Sequence, residues 1–224
     1  KKLLFMYKPF VDTVSKLFSE STFLYDKWKN FDFKENDIVI CVGAFFSEEN
    51  FKKFKEKNIY IIYYWTEPAL LTNISKYKYC DEIYLYSKSL YSKQKKMFDN
   101  QKISFVPILK EDTNSFVNYL KKENNMKLCF LGAMNMRSSQ IRNMFMRKKY
   151  FTCTYDLFSN EKYNMFMVNN AYIFVNFNKQ IPGNDGSILP FCRICKLLSH
   201  KCIVISQYCN NLDDELLKDI VYFC

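Results

Sequence analysis

Short apolar runs alternate with amphipathic stretches along the whole chain, and the alternation has two periods. Leu3 to Met6 predicts a first strand, Thr13 to Ser19 a short helix, and Thr22 to Trp28 an extended segment. Asp37 to Val42 is β-branched and apolar, bounded by Asn36-Asp37 and Gly43, which predicts a buried strand. Glu48 to Lys57 places two phenylalanines on one face and lysines on the other, with an acidic start and a basic end, the pattern of an amphipathic helix. Ile59 to Trp65 is the next strand. Pro68 can open a helix at its first turn, and Ala69 to Tyr77 is expected to continue it. Glu82 to Tyr86 predicts a strand and Ser87 to Asp99 a helix capped by Ser87 or Ser89. Ile103 to Val106 is a strand closed by Pro107.

Pro107 to Asn114 is polar and charged, the best linker in the chain. The alternation then restarts, with a strand at Lys127 to Leu131, a basic helix at Asn135 to Lys149 and a strand at Tyr150 to Tyr155. A helix follows at Glu161 to Asn169 and a strand at Ala171 to Asn176. A loop carrying Gly183 and Gly186, two of four glycines, leads into the helix FCRICKLL and the strand Cys202 to Ile205, which ends in Ser206 and Gln207. Asp213 to Lys218 predicts a last helix and Ile220 to Phe223 a last strand. Alternating strands and helices imply parallel pairing with right-handed crossovers. Two such α/β halves would face each other across a cleft at the carboxyl ends of their strands, where open sheets take ligands.

Composition changes this picture little. Hydrophobic residues make up 49% of the 224, enough for a core and against disorder. The formal charge of +10 would attract any anion, nucleic acid and phosphorylated small molecules alike, though dispersed lysines also suit a solvated surface. Cys192 and Cys195 form the one CxxC, inside an apolar helix and with a single histidine, His200, in the chain. Neither a redox motif nor a zinc site has that context, so small buried thiols in a reducing compartment are expected. KKLLFMYKPF is too short for a signal peptide and no run spans a membrane, which predicts a cytoplasmic protein.

Four places could carry chemistry. Gly132, in FLGAMNMRSSQIR, allows close backbone approach after a strand, and Arg137 near the following helix start could grip a diphosphate; an ordinary strand–helix turn with exposed arginines is the alternative. The segment is neither a P-loop nor GxGxxG. Arg193 either projects from the start of its helix toward the ligand edge or snorkels to the surface. Ser187 could cap that helix, with Asp185 just before it. Glu67, in YYWTEP, could orient an acceptor hydroxyl or act as a base, or could merely complement a helix dipole.

The segments CFLGAMNMR, AYIFVNFNK, SILPFCRICKLLSHKCIVISQ and LDDELLKDIVYF, with IIYYWTEP and EIYLYSKS in the first half, resemble GT-B glycosyltransferases. The nearest likeness is to group 1-like members found in large viruses and bacteria. The resemblance implies two Rossmann-like parallel-sheet domains: 1–108, on the acceptor side, and 114–224, binding a nucleoside-diphosphate sugar such as a UDP or GDP sugar. Gly132, Arg137 and Arg193 would handle the diphosphate region, and Asn135 and Asp185 would also belong to the donor site. Ser187, Ser206 and Gln207 would lie near sugar or ribose, and Glu67 would face a glycan, protein or small-molecule acceptor. No metal and no cofactor beyond the sugar nucleotide are expected, and the protein would act in the cytoplasm, of a host cell if viral. The chain departs from the family where it has Gln207 in place of the usual Glu, His200 or Lys201 in place of a turn glycine, and no paired glutamates in the donor helix. A non-catalytic sugar-nucleotide-binding module of the same fold is the alternative, and under either reading the chain could be one part of a multidomain polypeptide. A basic nucleic-acid-binding protein is a third reading, without a recognisable motif.

Overall fold

The structure is a computed structural model that describes residues 2–4, 22–24, 31–43, 46–67, 70–71, 74–98, 102–107, 128–132, 139–145, 148, 151–153, 167–168, 171, 173–178, 188–209 and 211–224. The chain divides into two compact units, Lys1–Leu109 and Lys110–Cys224, each α/β. Every strand pairing among the described residues is parallel, as alternating strands and helices require.

The first unit holds β1 (Lys2–Leu4), β2 (Thr22–Leu24), β3 (Ile38–Val42), β4 (Tyr60–Trp65), β5 (Glu82–Leu85) and β6 (Lys102–Phe105), in the sheet order β2-β1-β3-β4-β5-β6. Helix α1 (Glu48–Glu56) forms because Ser47 and Asn50 close a reciprocal capping box. Ser47 Oγ accepts from Asn50 N at 3.3 Å and Ser47 N donates to Asn50 Oδ1 at 2.9 Å. Its buried face is Phe51 and Phe54, and Phe51 meets the Tyr63 ring of β4 edge-on with centroids 5.4 Å apart. Each fully buried phenylalanine contributes about 1.5–3 kcal/mol relative to exposure. The helix stops where Asn58 turns left-handed at φ 53°, letting Asn58 N and Ile59 N donate back to Lys55 and Phe54 carbonyls.

The helix expected over Ala69–Tyr77 is not α-helical where it is described. Leu70 and Leu71 have no regular structure, and Ile74–Tyr79 is a 3₁₀ helix. The reason lies in the spacing. Tyr77 and Cys80 are buried and Ile74 is half-buried, a spacing of three that matches three residues per turn rather than 3.6. Tyr77 thereby stacks on Tyr63 at 5.2 Å. Helix α2 (Lys88–Gln94) is capped by Ser87, whose Oγ accepts from Leu90 N at 3.0 Å, and gives way to a 3₁₀ turn at Lys95–Met97 before Phe98. The Thr13–Ser19 helix, the Pro68 helix start and most of the linker lie outside the described residues.

The second unit holds β7 (Leu128–Phe130), β8 (Phe151–Cys153), β9 (Ile173–Asn176), β10 (Ile203–Ser206) and β11 (Tyr222–Phe223), in the order β11-β10-β9-β7-β8. Helix α3 (Ser139–Phe145) packs on one face, where Phe130, Val175 and Phe177 form a core joined by Ile141, Phe145 and Phe151. Helix α4 (Phe191–Ser199) buries Ile194 and Leu197 and packs against β10. Ser187 is not its cap. The N-cap is Pro190, because a residue before proline is driven out of the helical region and Leu189 therefore precedes the helix. The helix expected over Asp213–Lys218 is displaced. Helix α5 is Asn211–Asp214, and residues 215–220 continue as tight turns in which Leu216 N and Leu217 N donate three residues back to Asp213 and Asp214.

Cys41, Cys80, Cys129, Cys202 and Cys209 are buried free thiols, as small hydrophobes tend to be. Among the described residues no helix is long and apolar enough to cross a membrane.

Candidate functional site at the carboxyl edge of the second sheet

Three central strands of the second sheet end at polar or flexible residues. β7 runs through Phe130 to Leu131 and Gly132, β9 ends at Asn176, and β10 ends at Ser206 followed by Gln207. Alternation along a strand sends Val175 to one face and Asn176 to the other. Asn176 and Ser206 therefore share the face on which α4 packs, and both are fully buried at 0% exposure.

Arg193 is the third residue of α4 and is half-buried. Its guanidinium reaches back to the strand ends. Nη1 donates to Asn176 Oδ1 at 2.8 Å, and Cζ sits 4.8 Å from the centre of the Phe130 ring, within cation–π range. Gly132 closes the third side. A Cβ placed there would stand 3.0 Å from Arg193 Nη2 and 3.2 Å from the Phe130 ring, and the backbone has φ +144°, a conformation open to glycine.

Beyond Asn176 the hydrogen bonds continue. Asn176 Nδ2 donates to Ser206 Oγ at 2.8 Å, and Ser206 Oγ donates to the Gln207 carbonyl at 3.0 Å. Gln207 N donates to the Asn176 carbonyl at 3.1 Å, and Gln207 Oε1 accepts from Asn178 N at 2.9 Å. Cys209 N is held by Asp214 Oδ2 at 2.9 Å, while burial and then the Asp214 carboxylate push the Cys209 thiol up to about 12.

The residues singled out in the sequence divide accordingly. Gly132, Arg193 and Ser206 converge on one cluster, with Gln207 beside it. Asn135, Arg137, Asp185 and Ser187 lie outside the described residues. Glu67 belongs to the first unit, two residues past the end of β4, and is half-buried. Asn176 was not anticipated, although an asparagine closing the apolar run Ile173–Val175 is the signal that marks it. His200 is a helix terminator. It is buried, and as the C-cap its N–H donates to the Lys196 and Leu197 carbonyls. Lys201 then takes the left-handed position at φ 55°, where a glycine would be usual.

No protein-family model matches the sequence, and no curated protein matches it either. Among the described residues no group of three or more His, Cys, Asp or Glu side chains is placed to hold a metal ion.

Proposed function

We propose that the protein is a glycosyltransferase of the GT-B type, whose second unit binds a nucleoside-diphosphate sugar and whose chemistry moves that sugar to an acceptor hydroxyl. The observation that carries this reading is Arg193, held at the carboxyl ends of β7 and β9 by Asn176 and Phe130 beside Gly132. Carboxyl ends of parallel strands are where open α/β sheets take ligands. An arginine there supplies donors in a planar fork suited to phosphate oxygens.

In this reading Arg193 stabilises negative charge that develops on the departing nucleoside diphosphate, in the role that a divalent metal plays in other transferases. Gly132 keeps the approach to the guanidinium open. Ser206 and Gln207 lie near the ribose or sugar, and Glu67 serves the acceptor as an orienting carboxylate or a base. Arg137, Asn135, Asp185 and Ser187 complete the donor side by the same resemblance in sequence.

A screen of sugar nucleotides for transfer or donor hydrolysis tests the reading. Release of nucleoside diphosphate, lost in Arg193→Ala, is expected; no turnover with any donor or acceptor would leave only the binding module. One observation favours that second reading. Gln207 Oε1 is occupied by Asn178 N, so the position usually acidic in the family acts here as a clasp between strand ends.

A further inference from the structure

The two faces of the second sheet are not equally covered. Right-handed crossovers that step in the same direction run over the same face, so the β9–β10 and β10–β11 connections share the face of α4. The β7–β8 connection steps the other way, and its helix α3 lies on the opposite face. Among the described residues α3 is the one helix there. Its Ile141 and Phe145 pack against the core of Phe130, Val175 and Phe177, as does Ile205 of β10. Alternation puts Ile203 on the same face as Ile205, and the parallel register sets Tyr222 of β11 beside Ile205. Ile220 stands just before β11, where the same register runs back toward Ile203. Ile203, Ile220 and Tyr222 are 46%, 57% and 70% exposed, so the apolar face continues past α3 to the sheet edge in contact with water. Large apolar side chains gathered in one exposed patch mark an interaction surface.

The flanks of this patch carry opposite charge. On the α3 side, Arg142 and Lys148 are exposed, and the sequence from Arg137 to Tyr155 holds no acidic residue. On the β11 side, residues 211–224 hold Asp213, Asp214, Glu215 and Asp219 against Lys218, four negative and one positive, a formal charge of −3 within a chain of +10. Glu215 and Asp219 are exposed. We propose that this face is an interface with a second copy of the chain, an isologous dimer centred on Ile203, Ile220 and Tyr222. A two-fold axis through the patch lays the basic flank of each copy on the acidic flank of the other, while the isoleucines and Tyr222 meet at the centre. Apolar and aromatic residues at the centre with charged residues at the rim match the anatomy of protein–protein contacts. The acidic flank disfavours nucleic acid or an anionic lipid surface as the occupant, although the chain as a whole is basic.

The test is sedimentation velocity of the wild-type full chain over a series of concentrations, beside Ile203→Lys, Tyr222→Ser, Asp219→Lys, Arg142→Glu and the double variant Asp219→Lys/Arg142→Glu, with circular dichroism of each to check the fold. The wild type is expected to reach twice the mass of one chain as concentration rises. Ile203→Lys and Tyr222→Ser should each raise the dissociation constant about tenfold or more, the scale of losing one central interface residue. Asp219→Lys and Arg142→Glu should each weaken the dimer, and the double variant should recover it, because the two flanks face each other across the axis. A wild type that stays monomeric throughout overturns the proposal. A dimer that both Ile203→Lys and Tyr222→Ser leave intact overturns it as well, since the contact then lies elsewhere. No recovery in the double variant overturns the two-fold arrangement. Should Ile203→Lys fail to fold, Tyr222→Ser decides, its side chain being the more exposed.

Discussion

Arg193 Nη1 and Asn176 Oδ1 lie 2.8 Å apart, and this bond ties the start of α4 to the carboxyl end of β9. Truncating the arginine leaves the oxygen of a fully buried amide without that donor. Arg193→Ala should therefore lower stability by about 1–3 kcal/mol, the usual penalty for a buried group left unsatisfied. It should also weaken nucleoside-diphosphate binding by about 1.5–3 kcal/mol, the range for a hydrogen bond to a charged group. Urea denaturation and titration calorimetry read the two effects separately.

Gly132→Ala probes the same cluster from the other side. The new methyl group would press on Arg193 Nη2 at 3.0 Å and on the Phe130 ring at 3.2 Å, at a backbone φ of +144°. The backbone alone should cost on the order of 1–3 kcal/mol. Displacement of the guanidinium should also weaken anion binding, so denaturation midpoint and affinity are expected to fall together.

The first unit carries an acid-sensitive contact. Glu82 on β5 accepts from Tyr60 at 2.6 Å and from Tyr84 at 2.7 Å, and these hydrogen bonds hold its carboxyl below the ordinary 4.5. The same bonds raise both phenols to about 12, with the Glu82 bond the leading cause for Tyr60 and burial the leading cause for Tyr84. A depressed carboxyl contributes stability above its unfolded value and loses it as pH falls through the folded value. Stability should therefore drop below pH 4.5. The double variant Tyr60→Phe/Tyr84→Phe should flatten that part of the curve, as measured by denaturation midpoints across the acid range.

Lys201 sits at φ 55° after α4, where Lys201 N and Cys202 N donate back to Leu198 and Leu197. A side chain in the left-handed region costs about 1–2 kcal/mol, and glycine escapes that cost while losing about 0.5–1 kcal/mol to chain entropy. Lys201→Gly should be neutral to slightly stabilising, with Lys201→Ala close to wild type. A clear loss of stability in Lys201→Gly would show that the lysine side chain itself is engaged.

The apolar runs made most of the scaffold legible. Ile38–Val42, Tyr60–Trp65 and Ile173–Asn176 are strands where continuous β-branched and aromatic residues predict them, because burial on both faces leaves no other option for such runs. Elements fixed by local hydrogen bonds were harder to read. The 3₁₀ turn at Ile74–Tyr79 is set by inward spacing of three, and the late start of α4 by Pro190 rather than Ser187. In the site, a glycine and an arginine among apolar neighbours stood out as residue types. Asn176 did not, since its meaning depends on Arg193 and Ser206 meeting it in space. Lys196, only 1% exposed on α4, was equally invisible, because lysine in sequence reads as surface.

The proposed donor site stands or falls on whether the second unit binds a nucleoside diphosphate through Arg193. Calorimetric titration of UDP and GDP into the full chain, with and without Mg²⁺, tests it most directly. Saturable binding of at least one nucleotide is expected in the absence of Mg²⁺, weakened by about 1.5–3 kcal/mol in Arg193→Ala. Failure of every nucleoside diphosphate to bind, with or without Mg²⁺, would contradict it.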